Sequence, residues 1–328
     1  MFPHFLVTMQ ELLVPLYLMN DMTMNNSYNF KDLYDYALSI DCDAVMGEEM
    51  SRNTSFKTGG PCGVRISPSD AEQVKAIINK ADELNIPYVV LGNGTNILVP
   101  DEGLKKAVII VGDKMAEISL EGDDTLSFSA GTNLVSLCRF ALENSLSGLE
   151  FAFGIPGTCG GAVFMNAGAY GGEIKDVLTE VTHLTPDMKI ETISADKADL
   201  SYRHSVYKTN GCVILSAKVK LHKDNKEDIK ARMDDFLGRR KDKQPLEYPS
   251  AGSTFKRPEG YFAGALIEQC SLKGKSVGGA QVSEKHAGFV INKGGATSTD
   301  ILNLIDFIKT TVETQTGVTL EPEVIVLR

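Results

Sequence analysis

Between Gly148 and Gly172 the chain carries eight glycines in 25 residues, GLEFAFGIPGTCGGAVFMNAGAYGG. That is roughly five times the average glycine frequency. Glycine has the most backbone entropy to lose and no side chain to pack, so the stretch is expected to be neither ordinary helix nor ordinary strand. Ile155, Val163, Phe164 and Met165 lie between the glycines, which argues against disorder. What remains is ordered backbone that passes very close to something flat or extended.

The flanks alternate between helical and strand periodicity. A helical lead from Phe30 to Leu38 precedes a strand at Cys62–Ile66, and Ser69 with Glu72 has the spacing of a capping box. Val74, Ile77, Ile78, Ala81 and Leu84 then recur at helical spacing, and Ile86–Leu91 reads as a strand. The loop that follows, Gly92-Asn93-Gly94-Thr95-Asn96, is not a dinucleotide fingerprint. Ile97 replaces the third glycine, and Ile97–Pro100 reads as strand where a helix is required. Two readings stay open for it: a nest of backbone N–H groups around an anion, or a tight hairpin turn.

Strands are expected again at Ala107–Val111 and Leu126–Ala130, and a helix through Leu134, Leu137, Cys138 and Ala141. Further strands follow at Val177–Leu184 and Val213–Leu221. A domain boundary is placed near Lys223, before a helix over Glu227–Arg240 with Ile229, Met233, Phe236 and Leu237 on one face. A basic cluster (Arg239, Arg240, Lys241, Lys243) leads through Pro245 and Pro249 into the loop Ala251–Pro258. Helices at Phe262–Ser271 and Thr299–Val312 and a closing strand around Leu320–Val324 complete the chain.

At 328 residues the chain can hold two domains, or a large one with an appendage. Thirty-three basic against 43 acidic residues leave a charge of −10, which opposes an extended grip on nucleic acid or anionic lipid but not a small anion in a local basic pocket. The six cysteines include no C-x-x-C pair, so zinc and thioredoxin-like motifs are absent, no metal site is expected, and buried free thiols are the reading. There is no G-x-S-x-G, H-E-x-x-H or G-x-x-x-x-G-K-[ST] motif. His286 reads as a structural histidine. Met1–Asn20 is apolar in patches, but no Lys or Arg precedes Lys31 and Glu11 and Pro15 interrupt it, so no signal peptide is expected and the protein is placed in the cytoplasm. Met19, Met22 and Met24 also allow a later translation start.

The strings RNTSFKTGGP, VVLGNGTNILV, GIPGTCGGAVFMNAGAYGGE, SYRHSVYK, YPSAGSTFKRP and LEPEV resemble, in order and spacing from Arg52 to about Val324, those of the UDP-N-acetylenolpyruvoylglucosamine reductases. These flavoenzymes are also called UDP-N-acetylmuramate dehydrogenases. The resemblance implies an α+β chain with a FAD-binding fold of the vanillyl-alcohol-oxidase (PCMH) type in two subdomains, residues 51–223. A C-terminal α+β substrate-binding domain spans 224–328, and residues 1–50 form an N-terminal extension and helical lead. It implies non-covalent FAD, NADPH as reductant, and reduction of an enolpyruvyl ether of UDP-N-acetylglucosamine to UDP-N-acetylmuramate for peptidoglycan. The partners are then small molecules, with neither nucleic acid nor membrane. The 50 residues from Arg203 to Ser253 suggest the shorter family form, without an added tyrosine-bearing loop.

Residue by residue, the resemblance assigns the FAD pyrophosphate loop to Gly92, Asn93, Gly94, Thr95 and Asn96. A second flavin contact falls on Gly154, Ile155, Pro156, Gly157, Thr158, Gly160, Gly161 and Ala162. Arg203 is implied to bind the substrate carboxylate and stabilise an enolate, Ser253 to donate a proton, and Glu323 to complete the site. Glu321 competes for that last role, and Glu323 is preferred because the family's carboxylate follows the proline. Tyr170, Tyr202, Lys241, Lys256 and Arg257 are the substrate candidates, with Arg257 standing where some members have asparagine. An oxidase or dehydrogenase of the same fold, and an inactive flavin-binding scaffold, are the alternative readings.

Overall fold

A computed structural model describes residues 28–328; the expectations for Met1–Asn20 and the methionine cluster lie outside the described residues. Helix α1 (Phe30–Ser39) buries Leu33 and Ala37 and is followed by an antiparallel strand pair, Asp43–Met46 with Cys62–Ser67. Gly63 has no side chain for a local reason: the Phe30 ring occupies the space a Cβ would need. Leu104–Ile110 and Tyr88–Leu91 extend this sheet in parallel, giving four strands in the order 43–46, 62–67, 104–110, 88–91. Parallel neighbours need a crossover, and α2 (Ala71–Glu83) supplies it with Val74, Ile77, Ile78 and Ala81 buried.

The cap of α2 differs from the expected Ser69/Glu72 box by one residue. Asp70, in extended backbone, accepts the Gln73 N–H at 2.8 Å, and the Gln73 carboxamide oxygen accepts the Ser69 N–H at 2.8 Å. Gln73 also donates to the Ile40 carbonyl at 2.9 Å, tying α2 to the end of α1. A carboxylate one residue later is the better acceptor for the helix start.

A second sheet is wholly antiparallel, in the order Ile190–Ser194, Leu178–Leu184, Val213–Lys220, Thr125–Ser129, Ile118–Glu121. Helices α3 (Leu134–Glu143) and α4 (Cys159–Phe164) pack with it, and α4 falls inside the glycine-rich segment where no regular helix was expected. Its Gly160 fits because the Ala130 side chain stands 2.7 Å from where a Cβ would be. One continuous apolar core runs from Leu33 through Ile66, Ile77, Leu126, Val181 and Val219 to Met233.

That core relocates both expected boundaries. The segment from Phe30 onward is integral to the first unit rather than an extension, since Leu33, Ala37 and Ala44 are core residues. Helix α5 (Lys226–Lys243) inserts Ile229 and Met233 into the same core, so the change of core falls after the helix rather than near Lys223. The second core is built from Ala251, Phe255, α6 (Ala263–Gln269), a three-stranded sheet at 276–277, 280–282 and 290–292, and α7 (Ser298–Thr316). Between Arg203 and Ser253 the chain is used up by Val213–Lys220, His222–Lys223, α5 and a short loop, which leaves no room for an inserted domain-sized loop.

The closing strand lies later than Leu320–Val324. Within 320–324 only an isolated antiparallel bridge forms, Phe255 with Pro322, and the strand itself is Ile325–Val326, parallel to Ile97–Leu98. Because Tyr88–Leu91 pairs with Leu104–Ile110 instead, the hairpin reading of Gly92–Asn96 is excluded: that loop passes from one sheet to another. All six cysteines are free thiols, five buried and Cys212 half-buried.

Within the second sheet, His183 Nδ1 lies 3.0 Å from the buried Tyr207 hydroxyl, and burial pushes the imidazole below its ordinary 6.5. His286, half-buried, is depressed chiefly by burial as well. Below about 6.5 the unfolded chain binds protons that the fold refuses, so stability must fall with pH from 6.5 toward the depressed folded values. Denaturant titrations from pH 7.5 to 5 should show that slope, and His183→Gln should make it shallower.

Candidate active site

Arg203 sits third in a four-residue turn closed by reciprocal backbone bonds between Ser201 and His204, at 3.2 and 3.0 Å. Its φ of 54° is left-handed, a conformation that costs a side-chain-bearing residue about 1–2 kcal/mol. The turn is over-determined by its neighbours. Fully buried Asn166 donates to the Ser201 carbonyl and to Glu173, each at 2.9 Å, and its own carbonyl oxygen accepts the Lys175 N–H. Ser205 Oγ donates to the Phe164 carbonyl at 2.7 Å. The glycine-rich segment thus holds the turn from which Arg203 projects.

The guanidinium meets Glu323. Arg203 Nε donates to Glu323 Oε1 at 2.7 Å and Nη2 to the Gly168 carbonyl at 3.2 Å, with the two side chains only 19% and 12% exposed. Burial pushes the Glu323 carboxyl above its ordinary range, outweighing the opposing pull of Arg203 and then of Lys208 and Lys256. Lys208 is in turn depressed, by burial first and by Lys256 second. Ser253 belongs to the same arrangement because its strand-like segment is laced to that of Glu323. Thr254 O accepts the Glu323 N–H and Glu321 O accepts the Lys256 N–H, both at 2.8 Å, while Ser253 Oγ has only a long 3.4 Å contact to Phe255 O.

Arg203, Ser253 and Glu323 line one cavity of about 360 Å³, together with Arg257, Phe262 and His286. A neighbouring cavity of about 550 Å³ is bounded by Gly168–Glu173 and Pro258–Gly260, and Tyr202 and Arg257 belong to both. Arg257 lies 4.0 Å over the Phe262 ring, and its backbone N–H donates to the Tyr202 hydroxyl at 3.1 Å. Tyr170 lines the second cavity. Lys241 and Lys256 line neither: Lys241 is exposed on α5, and Lys256 pairs with Glu321. That pairing occupies Glu321 and leaves Glu323 as the carboxylate at Arg203. His286 Nδ1 accepts the Gly288 N–H at 3.1 Å, and the residue lines the first cavity.

The two glycine loops interlock. A Cβ on Gly92 would collide with the Thr158 hydroxyl, one on Gly94 (φ 61°) with the Asn53 carbonyl, and Thr95 Oγ1 reaches the Pro156 carbonyl at 3.3 Å. So the close approach expected of these glycines is partly protein against protein. Along Gly92–Asn96 no backbone N–H finds an acceptor among the described residues, which is the donor row an anion needs. Gly160 and Gly161 differ: their N–H groups are given to Ala130 O (2.8 Å) and Thr158 Oγ1 (3.3 Å), so they build the loop rather than offer it.

Residues 63–194 match the family profile described as an FAD binding domain, and 244–327 the one described as the UDP-N-acetylenolpyruvoylglucosamine reductase C-terminal domain. Curated relatives of that name are 51% identical in Clostridium novyi, over 87% of this chain and 92% of theirs, and 48% identical in Syntrophomonas wolfei, over 85% and 93%. The chain belongs to the UDP-N-acetylenolpyruvoylglucosamine reductase family. The crystal structure of the enzyme from Thermus caldophilus superposes with a TM-score of 0.74 at 34% identity, covering 88% of this chain and 99% of that one. The fold is accordingly α+β, an FAD-binding region followed by the reductase C-terminal domain. That domain match starts at residue 244, where the core changes at the end of α5.

As a member of this reductase family the chain uses FAD, and the residues present fit it: unspent N–H groups at Gly92–Asn96 and a backbone held open by glycine. Motif reading missed Asn166 and Lys208, although both lie in the quoted strings. A lone asparagine among glycines and a lysine five residues after Arg203 carry no spacing signal, and only the fold shows what they touch. Gly94→Ala places a methyl against Asn53 O and should lower the flavin content of the purified protein severalfold, with a stability loss of about 1–3 kcal/mol. Gly122→Ala, at a similar φ of 64° but with nothing within 4 Å, should keep full flavin content in the same absorbance measurement.

Proposed function

We propose that Arg203, Ser253 and Glu323 carry the substrate half of an FAD-mediated reduction. The reaction is that of the family: UDP-N-acetyl-3-O-(1-carboxyvinyl)-glucosamine is reduced to UDP-N-acetylmuramate at the expense of NADPH, a step of peptidoglycan precursor synthesis. When bound, FAD supplies the redox chemistry, taking two electrons from NADPH and passing them to C3 of the enolpyruvyl group. The single observation supporting the residue roles is the buried Arg203–Glu323 pair facing Ser253 across one cavity.

Addition at C3 builds negative charge on C2 and the carboxylate. Arg203, a permanently charged fork held by its strained turn, binds that carboxylate and stabilises the charge as it grows. To do so it exchanges Glu323 for the substrate. Glu323, buried and stripped of its nearest cation, then binds a proton and hydrogen-bonds the substrate as a neutral acid. Ser253 delivers the proton to C2, relaying it because a free hydroxyl is a weak acid. Tyr202 and Arg257, shared by both cavities, orient the substrate, with Tyr170 on the far wall. A cytoplasmic location belongs to this reading because its ligands are soluble nucleotides; among the described residues no helix is long and apolar enough to cross a membrane.

In single-turnover experiments, Ser253→Ala should leave NADPH reduction of the flavin nearly intact and slow reoxidation by the enolpyruvyl substrate about 10²–10⁴-fold. Equal damage to both half-reactions would contradict the proton-donor role. Titration calorimetry at pH 7 in buffers of different ionisation enthalpy should show close to one proton taken up per substrate bound. Glu323→Gln should abolish that uptake; an uptake unchanged in Glu323→Gln would contradict the partner exchange.

A further inference from the structure

Arg203 and Glu323 belong to a cluster of five charges with Lys208, Lys256 and Glu321. Arg203 pairs with Glu323 and Lys256 with Glu321, whereas the Lys208 side chain makes neither an ion pair nor a hydrogen bond among the described residues. Packed neighbours fix where it stands. Lys208 ends the short turn Val206–Lys208, with its N–H on the Ser205 carbonyl at 3.2 Å. Ser205 is fully buried and bonded to the Phe164 carbonyl; the next residue, Met165, has its sulfur 3.7 Å from the Asn96 carboxamide that also holds the Glu323 carbonyl. On the other side Tyr207 is buried, its hydroxyl 3.0 Å from His183 Nδ1.

Lys208 is half-buried, yet its Nζ is not among the buried polar atoms that lack a partner, which are Ser55 Oγ and Arg240 Nε. An unpartnered ammonium that is not sealed off reaches solvent. Glu323 is in the opposite situation: it is 12% exposed, and it lines the cavity that the substrate fills. Once that cavity is occupied, a proton for Glu323 must arrive from another side, and Lys208 lines neither cavity. The two groups are matched for exchange. Burial first and Lys256 second make the ammonium easier to deprotonate than in water, while burial makes the carboxylate easier to protonate. Transfer of Arg203 to a substrate carboxylate removes the cation that most opposes that protonation.

We infer that Lys208 is the proton inlet of the site, passing protons from solvent to the Glu323 carboxylate on the side that the substrate does not cover. The inference rests on the proposed roles of Arg203, Ser253 and Glu323. The step is a proton transfer alone: an Nζ–H bond of the ammonium breaks and leaves its electron pair on nitrogen, an O–H bond forms on Glu323, and the free amine regains a proton from solvent. Nothing is oxidised or reduced, and Lys208 acts on the substrate only through Glu323.

Wild type, Lys208→Arg and Lys208→Met are purified with their flavin, reduced with NADPH and mixed with the enolpyruvyl substrate in single-turnover experiments, with and without added ethylamine. Arginine keeps the charge but does not release its proton near neutral pH. Lys208→Arg should therefore accept electrons from NADPH at the wild-type rate and be half-saturated at the wild-type substrate concentration, yet reoxidise about tenfold or more slowly at saturation. Lys208→Met should be at least as slow, and ethylamine, a small primary amine, should speed it in proportion to its concentration while leaving the wild type unchanged. If the methionine variant does not fold, the arginine variant decides. A Lys208→Arg variant as fast as the wild type overturns the proposal, because charge alone would then suffice. So does a Lys208→Met variant that ethylamine does not speed, or a variant whose two half-reactions slow equally, since Lys208 would then serve the fold alone. A wild type whose reduced flavin is not reoxidised by the enolpyruvyl substrate would instead defeat the proposed function, and the inlet with it.

Discussion

Two residues of parallel pairing, Ile325–Val326 against Ile97–Leu98, hold the site together. The bonds that make it run from Ile325 N to Asn96 O at 3.0 Å and from Leu327 N to Leu98 O at 2.9 Å, the first ending on the last residue of the Gly92–Asn96 loop. Asn96 adds a side-chain bond to the Glu323 carbonyl at 3.2 Å, spanning 227 positions of sequence. This junction acts with the bonds of Ser298 and Thr299 to Val99 and Asp101, the Asn292 bond to the Phe56 carbonyl, and Phe56 and Leu98 packed in the second core, to fix Glu323 against Arg203.

The electrostatics follow from that placement. Bringing a carboxylate and a guanidinium together at low exposure leaves each dependent on the other, and removing a partner from such a pair is costly. The burial that raises the Glu323 carboxyl is therefore opposed by the cation beside it. Strain sits at the same place: Arg203 at φ 54° and Tyr170 at φ 53° are both left-handed, and both are anchored by the glycine-rich segment through Asn166 and Gly168.

Much of this was legible in the sequence, and for identifiable reasons. α2 and α7 show in their apolar spacing because each buries one stripe against a sheet. The two glycine loops show because close backbone approach excludes every other residue. Long-range facts do not show. Residue spacing could not tell that Gly92 makes room for Thr158, that Ile325 rather than Val324 resumes pairing, or that α5 belongs to the first core through Ile229 and Met233. Arg240 is the clearest case: in the sequence it is one basic residue in a cluster of four, and only burial separates it from its exposed neighbours Arg239 and Lys241.

The central claim is that Arg203 and Glu323 act as one unit on the substrate. A double-mutant cycle of Arg203→Met and Glu323→Gln, read as the single-turnover rate of flavin reoxidation by the enolpyruvyl substrate, tests it most directly. The account predicts that the double variant is about as slow as the slower single variant. A double variant slowed by the product of the two single losses would show that the residues act independently and would contradict it.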